Sequence, residues 1–396
     1  MTRAPSGMLL LIAMLASTVA CAPRDDTSPD PATAPAAAPQ IAPVSSTPAP
    51  DERAAPVGAS AAPVYRTFRD VVVACDNIRR CTAIAVGDGV PGLVLLLTRD
   101  AGAQGAQSLA LQAPGSAIDA TSLILDGAMA PALAALPWQR NAGGTAALRI
   151  GDPVAIAGFI DLVRNGAQLA DAGERSVSLS GLNAALLYID AHQQRLDTPD
   201  AWSRRGERDA AAVPAAPALP VLPEPGAAPP ALAQGEAARL TRNVREAQAA
   251  ALREEQCDAT GGQFDVSRHD AAWPLDAAHA LVVVTCYTGA YQGAALVFRA
   301  ARDGSDLTRL SLPAPALSGD ASPRADFDLL VDAGYDPRSG TLSQYARGRG
   351  IGDCGHHARW RFDGHAFRLS HYAEMTRCGG LRADDWPVLW RVAGTP

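Results

Sequence analysis

The residues best equipped for chemistry crowd into one stretch near the C-terminus. His356, His357, His365 and His371 lie there beside Trp360, Phe362 and Phe367. Imidazoles this close in sequence can bind a metal ion or relay a proton. A metal site needs a third and a fourth ligand, and neither H-E-x-x-H nor C-x-x-C occurs; His371 and Glu374 give only an isolated H-x-x-E. A structural histidine pair finishing an aromatic face is the better reading, so no metal and no cofactor are expected. Asp363-Gly364 demands a two-residue hairpin turn. That register sets Phe362 opposite His365, Trp360 opposite Phe367 and His356 opposite His371. The candidate ligand contacts are therefore His356, Trp360 and His371, together with Asp76 and Asn77 in the turn between Cys75 and Cys81.

Other chemistries fit less well. Gly350-Ile351-Gly352-Asp353-Cys354-Gly355 matches G-x-G-x-x-G, but a dinucleotide site needs a helix N-terminus after its glycines. A hairpin follows here, and a tight loop is expected instead. No G-x-S-x-G occurs. Asp384-Asp385 and Asp326 with Asp328 could do acid–base work, although exposed loop acids are far commoner. The 34 basic residues include no lysine, which closes Schiff-base chemistry, Ser-Lys dyads and P-loop phosphate binding. No catalytic residue is assigned. A net charge of −7 without a basic cluster argues against nucleic acid as a partner.

The elements that must position these residues are stapled by cysteines. Met1 to Ala20 reads as an export signal: Arg3, an apolar run from Met8 to Ala16, then small residues before Cys21. Seven cysteines are an odd number for an exported chain. If Cys21 carries a lipid, the remaining six (Cys75, Cys81, Cys257, Cys286, Cys354 and Cys378) can pair completely. Six cysteines allow about 15 pairings. The nearest-neighbour set, Cys75–Cys81, Cys257–Cys286 and Cys354–Cys378, is preferred because each pair brackets a hairpin or strand segment within one domain. The expected location is the periplasm, with the lipid anchoring the protein to the outer membrane.

The expected domains are a signal peptide (1–20), a lipidated Pro/Ala-rich tether (21–63), an N-terminal α+β domain (64–205), a Pro-rich linker (206–234) and a C-terminal domain of one helix plus strands (235–396). The fold class is α+β: two disulfide-braced, mainly β domains, each with one or two packed helices. Phe68–Ala74 and Thr82–Val86 read as strands around the first cysteine pair. Asp152-Pro153 opens a helix, Ser180 is expected to cap a second, and Gly235–Gln256 reads as a single helix. Leu281–Cys286 and Ala294–Arg299 read as buried strands.

Five separated stretches carry a family resemblance. They are F-R-D-V-V-V-A-C-D-N-I-R-R-C-T-A (Phe68–Ala83), T-R-D-A-G (Thr98–Gly102), S-V-S-L-S-G-L-N-A-A-L-L-Y-I-D-A-H-Q-Q-R-L (Ser176–Leu196), C-Y-T-G-A-Y (Cys286–Tyr291) and G-R-G-I-G-D-C-G (Gly348–Gly355). Together they resemble the domain-of-unknown-function family 1176 of exported proteobacterial proteins. The first half is distantly similar to the invasion-associated locus B family. The resemblance implies an exported, disulfide-braced envelope protein and carries no catalytic residues. A non-catalytic binding or inhibitor module, engaging an envelope protein or a cell-wall ligand, is the expected function. A periplasmic cell-wall hydrolase using a His/carboxylate site in the C-terminal domain is the alternative.

Overall fold

The computed structural model describes residues 61–87, 92–113, 115, 117–140, 147–224, 226, 228–257, 265–319 and 326–394. The signal segment, Cys21 and all but the end of the tether lie outside them.

The N-terminal half is built on an antiparallel sheet whose strands follow chain order: β1 (Val64–Phe68), β2 (Val71–Cys75), β3 (Cys81–Val86), β4 (Val94–Arg99), β5 (Gln107–Gln112) and β6 (Ala147–Ile150). Its strands read as near-continuous apolar runs because both faces are covered. Val71, Val73, Ala83, Leu95, Leu97 and Leu109 face the helices α1 (Pro153–Val163) and α2 (Leu182–His192). Val72, Ala74, Ile84, Val86 and Val94 face the C-terminal half. Asp152 caps α1 as expected, its carboxylate accepting from the Ala155 N–H at 2.8 Å. The cap of α2 is Gly181 at φ 95°, not Ser180. A Cβ at Gly181 would lie 1.8 Å from the Phe68 carbonyl oxygen, so only glycine allows this approach.

In the C-terminal half, α3 (Glu236–Ala247) packs Leu240 and Val244 on the hairpin of β7 (His279–Thr288) and β8 (Gly293–Ala301), against Val282, Val284, Leu296 and Phe298. The single helix expected to Gln256 breaks at Gln248, and a separate turn of helix covers Ala249–Glu254. A last sheet contains β9 (Thr341–Arg347), β10 (Gly355–Phe362), β11 (Phe367–Met375) and β12 (Val388–Arg391). Bridges join Cys75–Cys81, Cys257–Cys286 and Cys354–Cys378.

The β10–β11 register differs from the one read in the sequence. Phe362 pairs with Phe367, and four residues, Asp363 to Ala366, make the turn. The Asp363 carboxylate accepts from the N–H groups of His365 and Ala366 at 2.9 and 2.8 Å, which stabilises the longer loop. A bulge between Arg359 and Trp360 shifts the pairing again, so His371 opposes Arg359 and His356 opposes Glu374.

The described residues cluster as one compact unit. Tyr65, Val72 and Ile84 share a core with Leu281, Leu342, Trp360 and Tyr372. Val64 and Tyr65 pair in parallel with Ser318 and Gly319, extending the first sheet with a strand from the other half. The described residues of 206–234 run mainly as coil between the halves, pinned where Pro220 O accepts from the Ala393 N–H and where Arg302 donates to the Pro230 and Ala231 carbonyls. Elastase nicking within Ala210–Ala233 is therefore expected to leave two fragments that co-elute on gel filtration, because the shared core holds them. Separation of the fragments without denaturant would contradict that core.

Candidate functional site

The residues singled out in the sequence are mostly interior. Trp360 is fully buried, its indole N–H donating to Pro313 O at 2.8 Å and its ring edge-on to Phe327. A side chain this enclosed contributes its area to the core. His356 stacks on Phe327 and Tyr372. His371 stacks instead on His357, ring centres 5.0 Å apart, and His357 also stacks on Trp386. Burial, then His357, Arg359 and Arg391, push the His371 pKa down to about 3. The hairpin thus divides the expected His356–His371 pair between two aromatic clusters.

Asp76 and Asn77 are likewise buried. The Asp76 carboxylate accepts from the Ile78 and Arg80 N–H groups at 3.0 and 2.8 Å and lies 2.9 Å from the Arg391 guanidinium. The Asn77 amide donates to Arg391 O and accepts from the Arg391 N–H, each at 3.0 Å. The first cysteine turn therefore clamps β12, across 314 residues of chain.

The glycine-rich stretch is a loop between β9 and β10, followed by a strand, so no helix N-terminus awaits a pyrophosphate. Gly355, at φ 137°, would place a Cβ 2.0 Å from Ala346 O. Among the described residues, Cys75, Cys81 and His192, and also Asp353, Cys354 and Cys378, come within metal-ligand distance, but every cysteine there is oxidised. Asp276 and His279 form one histidine–carboxylate pair, with Nδ1 2.9 Å from the carboxylate. Arg299 points its guanidinium at His279 Nε2 from 2.9 Å, which occupies the nitrogen a general base would use.

The five motifs meet at two places. The first three converge on a buried arginine cluster. The Gln193 amide donates to Arg79 O at 2.8 Å and Arg99 O at 3.0 Å, and its oxygen accepts from Arg195 Nε at 3.0 Å. Arg99 and Arg195, both almost wholly buried, share the Asp200 carboxylate, and Arg195 also donates to the Asp100 and Gly102 carbonyls. This junction is internal scaffold.

The fourth and fifth motifs meet at the surface. The tip of the β7–β8 hairpin carries Tyr287 and Tyr291, 49% and 43% exposed, and Ile351 of the glycine loop is 65% exposed. Arg347 lies over the Tyr291 ring and donates to Tyr291 O, and the Gln292 side chain accepts from the Arg347 N–H at 3.0 Å. Gly350 abuts the same ring: a Cβ there would lie 3.5 Å from it. Asp332, in the left-handed region at φ 45°, pairs with Arg347 at 2.8 Å and accepts from the Gly293 N–H. A cavity of about 460 Å³ opens beside this corner, lined by Arg268, His269, Thr285, Tyr291 and Asp332 among others. Its size suits a small ligand or an anchoring side chain. Both motifs are visible in the sequence, but their junction is not, since nothing local joins residue 291 to residue 347.

Fold and bridges define a disulfide-braced, mainly β protein of the α+β class. Among the described residues no helix is long and apolar enough to cross a membrane. A family model described as "Protein of unknown function (DUF1176)" matches residues 65–393, and the chain belongs to that family. It is 33% identical over 342 residues to the "Uncharacterized protein YpfG" of Escherichia coli strain K12, covering 83% of this chain and 93% of that protein. The distant likeness of the first half to the invasion-associated locus B family is not shown by these matches. No solved structure matches the chain.

Proposed function

We propose that this chain is an exported, lipid-anchored protein of the cell envelope that works by holding a protein partner at the Tyr287–Tyr291–Ile351 corner, without catalysis. The observation that carries the reading is the exposed junction of two separated motifs, where Tyr291, held by Arg347, lines one side of a preformed cavity. Tyrosine and arginine anchors beside a pocket are typical of interface hot spots, and the ion pair and stacking that hold Arg347 lower the ordering cost of binding. Export is supported by the signal-like N-terminus, the oxidised cysteines and the parity that sets Cys21 apart. A hydrolase built on Asp276–His279 would need a free imidazole nitrogen there, and Arg299 occupies it.

The test is photo-crosslinking in cells, with a benzophenone amino acid at position 291 or 351 and, as a control, at the exposed Val154. A discrete adduct from 291 and 351 but not from 154 is expected. Identical patterns from all three positions would refute the corner as a binding site. Palmitate labelling of the wild type and not of Cys21→Ser is expected alongside, and equal labelling would remove the anchor.

A further inference from the structure

A second cleft lies between the outer face of the first sheet and the C-terminal strand. It encloses about 330 Å³. Its floor is two cross-strand rows. Thr82, Thr98 and Ser108 face one another in register and present three hydroxyls, the two threonine oxygens 3.1 Å apart. The neighbouring row, Ile84, Leu96 and Ala110, is apolar and ends at Arg149. The opposite wall is supplied by residues 385–391, including Val388 and Arg391.

One unpaired arginine marks this cleft. Arg80, Arg149 and Arg391 line it against one carboxylate, Asp385, in a chain of net charge −7. Arg80 is held by Asp100 at 3.3 Å and Arg391 by the buried Asp76 at 2.9 Å. Arg149 is exposed and has no ion pair among the described residues. The Arg391 Nε is buried without a hydrogen-bond acceptor there. Asp76 and Asn77 thus act as positioning residues: they fix β12, and with it Arg391, against the sheet.

We infer that this cleft binds a small hydroxylated carboxylate of the sugar-acid class. The carboxylate would meet Arg149, whose guanidinium fork matches that anion; Arg80, at the far corner of the floor, stays with Asp100. The hydroxyls would meet Thr98 and Ser108, which can donate or accept. The Leu96 row would take the apolar face of the ring. A simple inorganic anion would use only Arg149, and a neutral sugar only the hydroxyls, so the combination selects the acid.

The test is titration calorimetry or NMR on the oxidised protein from residue 22 to its end, with glucuronate, glucose and inorganic phosphate as probes. Glucuronate is expected to bind at least about tenfold more tightly than either control. Arg149→Gln is expected to weaken it at least about fivefold without moving the thermal midpoint, and the near-isosteric Thr98→Val to weaken it as much while the protein stays folded. No glucuronate binding at millimolar concentration, phosphate binding as tight as glucuronate, or indifference to Arg149→Gln would each overturn the assignment.

Discussion

Replacing Asp200 by alanine is expected to lower the unfolding free energy by about 3 kcal/mol. The variant would leave Arg99 and Arg195 side by side in the interior without the carboxylate they share. Burial, then the neighbouring Arg195 charge, already pull the Arg99 pKa down to about 10. The Asp190 carboxylate cannot take over, because it is committed to the N–H groups of Trp202 and Ser203 at 3.1 and 2.7 Å. The figure is set at the low end of the range for broken buried pairs because the Asp200 side chain is one-third exposed, so water can partly replace it. The exposed pair Arg204–Asp197 is the control, and its loss should cost no more than about 0.5 kcal/mol. A urea midpoint for Asp200→Ala indistinguishable from that control would mean the motif junction is not a keystone.

Acid should also unfold this protein early. His371 is neutral in the fold with its pKa near 3, whereas in the unfolded chain it takes a proton near the ordinary 6.5. Because the folded value is depressed, its contribution to stability is complete above about pH 6.5 and is lost progressively as pH falls from there toward 3. At about pH 5 the loss from this one group is about 2 kcal/mol. The groups facing it are His357, Arg359 and Arg391, all of which resist a further positive charge. Burial also lowers His357, with Arg359 adding to it and Asp384 opposing, so the pair acts in the same direction. The strongly depressed carboxylates, Glu236 and Asp363, both near 2, release their contribution only below about pH 4.5, outside this window. Stability measured at about pH 7.5 and about pH 5 should therefore differ by about 2 kcal/mol less in His371→Gln than in the wild type. The difference between the two pH values is the readout, since the substitution itself disturbs the His357 stack. An unchanged pH dependence would show that His371 is solvated in the fold.

Much of the scaffold was legible because it is local. Asp152-Pro153 announces a helix start, and cysteines that bracket single hairpins or segments pair with their neighbours. Where local rules failed, a competing contact explains it. Asp363-Gly364 promised a two-residue turn, but the Asp363 side chain satisfies two further N–H groups and a bulge at Arg359 shifts the strand again. That double slip moved His371 from His356 to His357. Trp360 was read correctly as part of an aromatic face, but Phe327 and Pro313, more than 30 residues away, roof that face over. The Asn77–Arg391 clamp and the Tyr291–Arg347 corner join residues 314 and 56 positions apart. No periodicity or spacing encodes such pairs; only the fold brings them together.

We propose partner binding at the exposed motif junction and not at the histidine hairpin. The most direct measurement is the dissociation constant of the crosslinked partner, purified, for three proteins: wild type, Tyr291→Ala, and the double variant His356→Ala with His371→Ala. All three must first give the same near-ultraviolet circular dichroism at pH 7.5, and Tyr287→Ala replaces any variant that does not. A hot-spot tyrosine should cost at least about 2 kcal/mol, a loss of about thirtyfold in affinity for Tyr291→Ala, while the histidine variant stays within about tenfold of wild type. Full affinity in Tyr291→Ala, with binding lost in the histidine variant, would contradict the account.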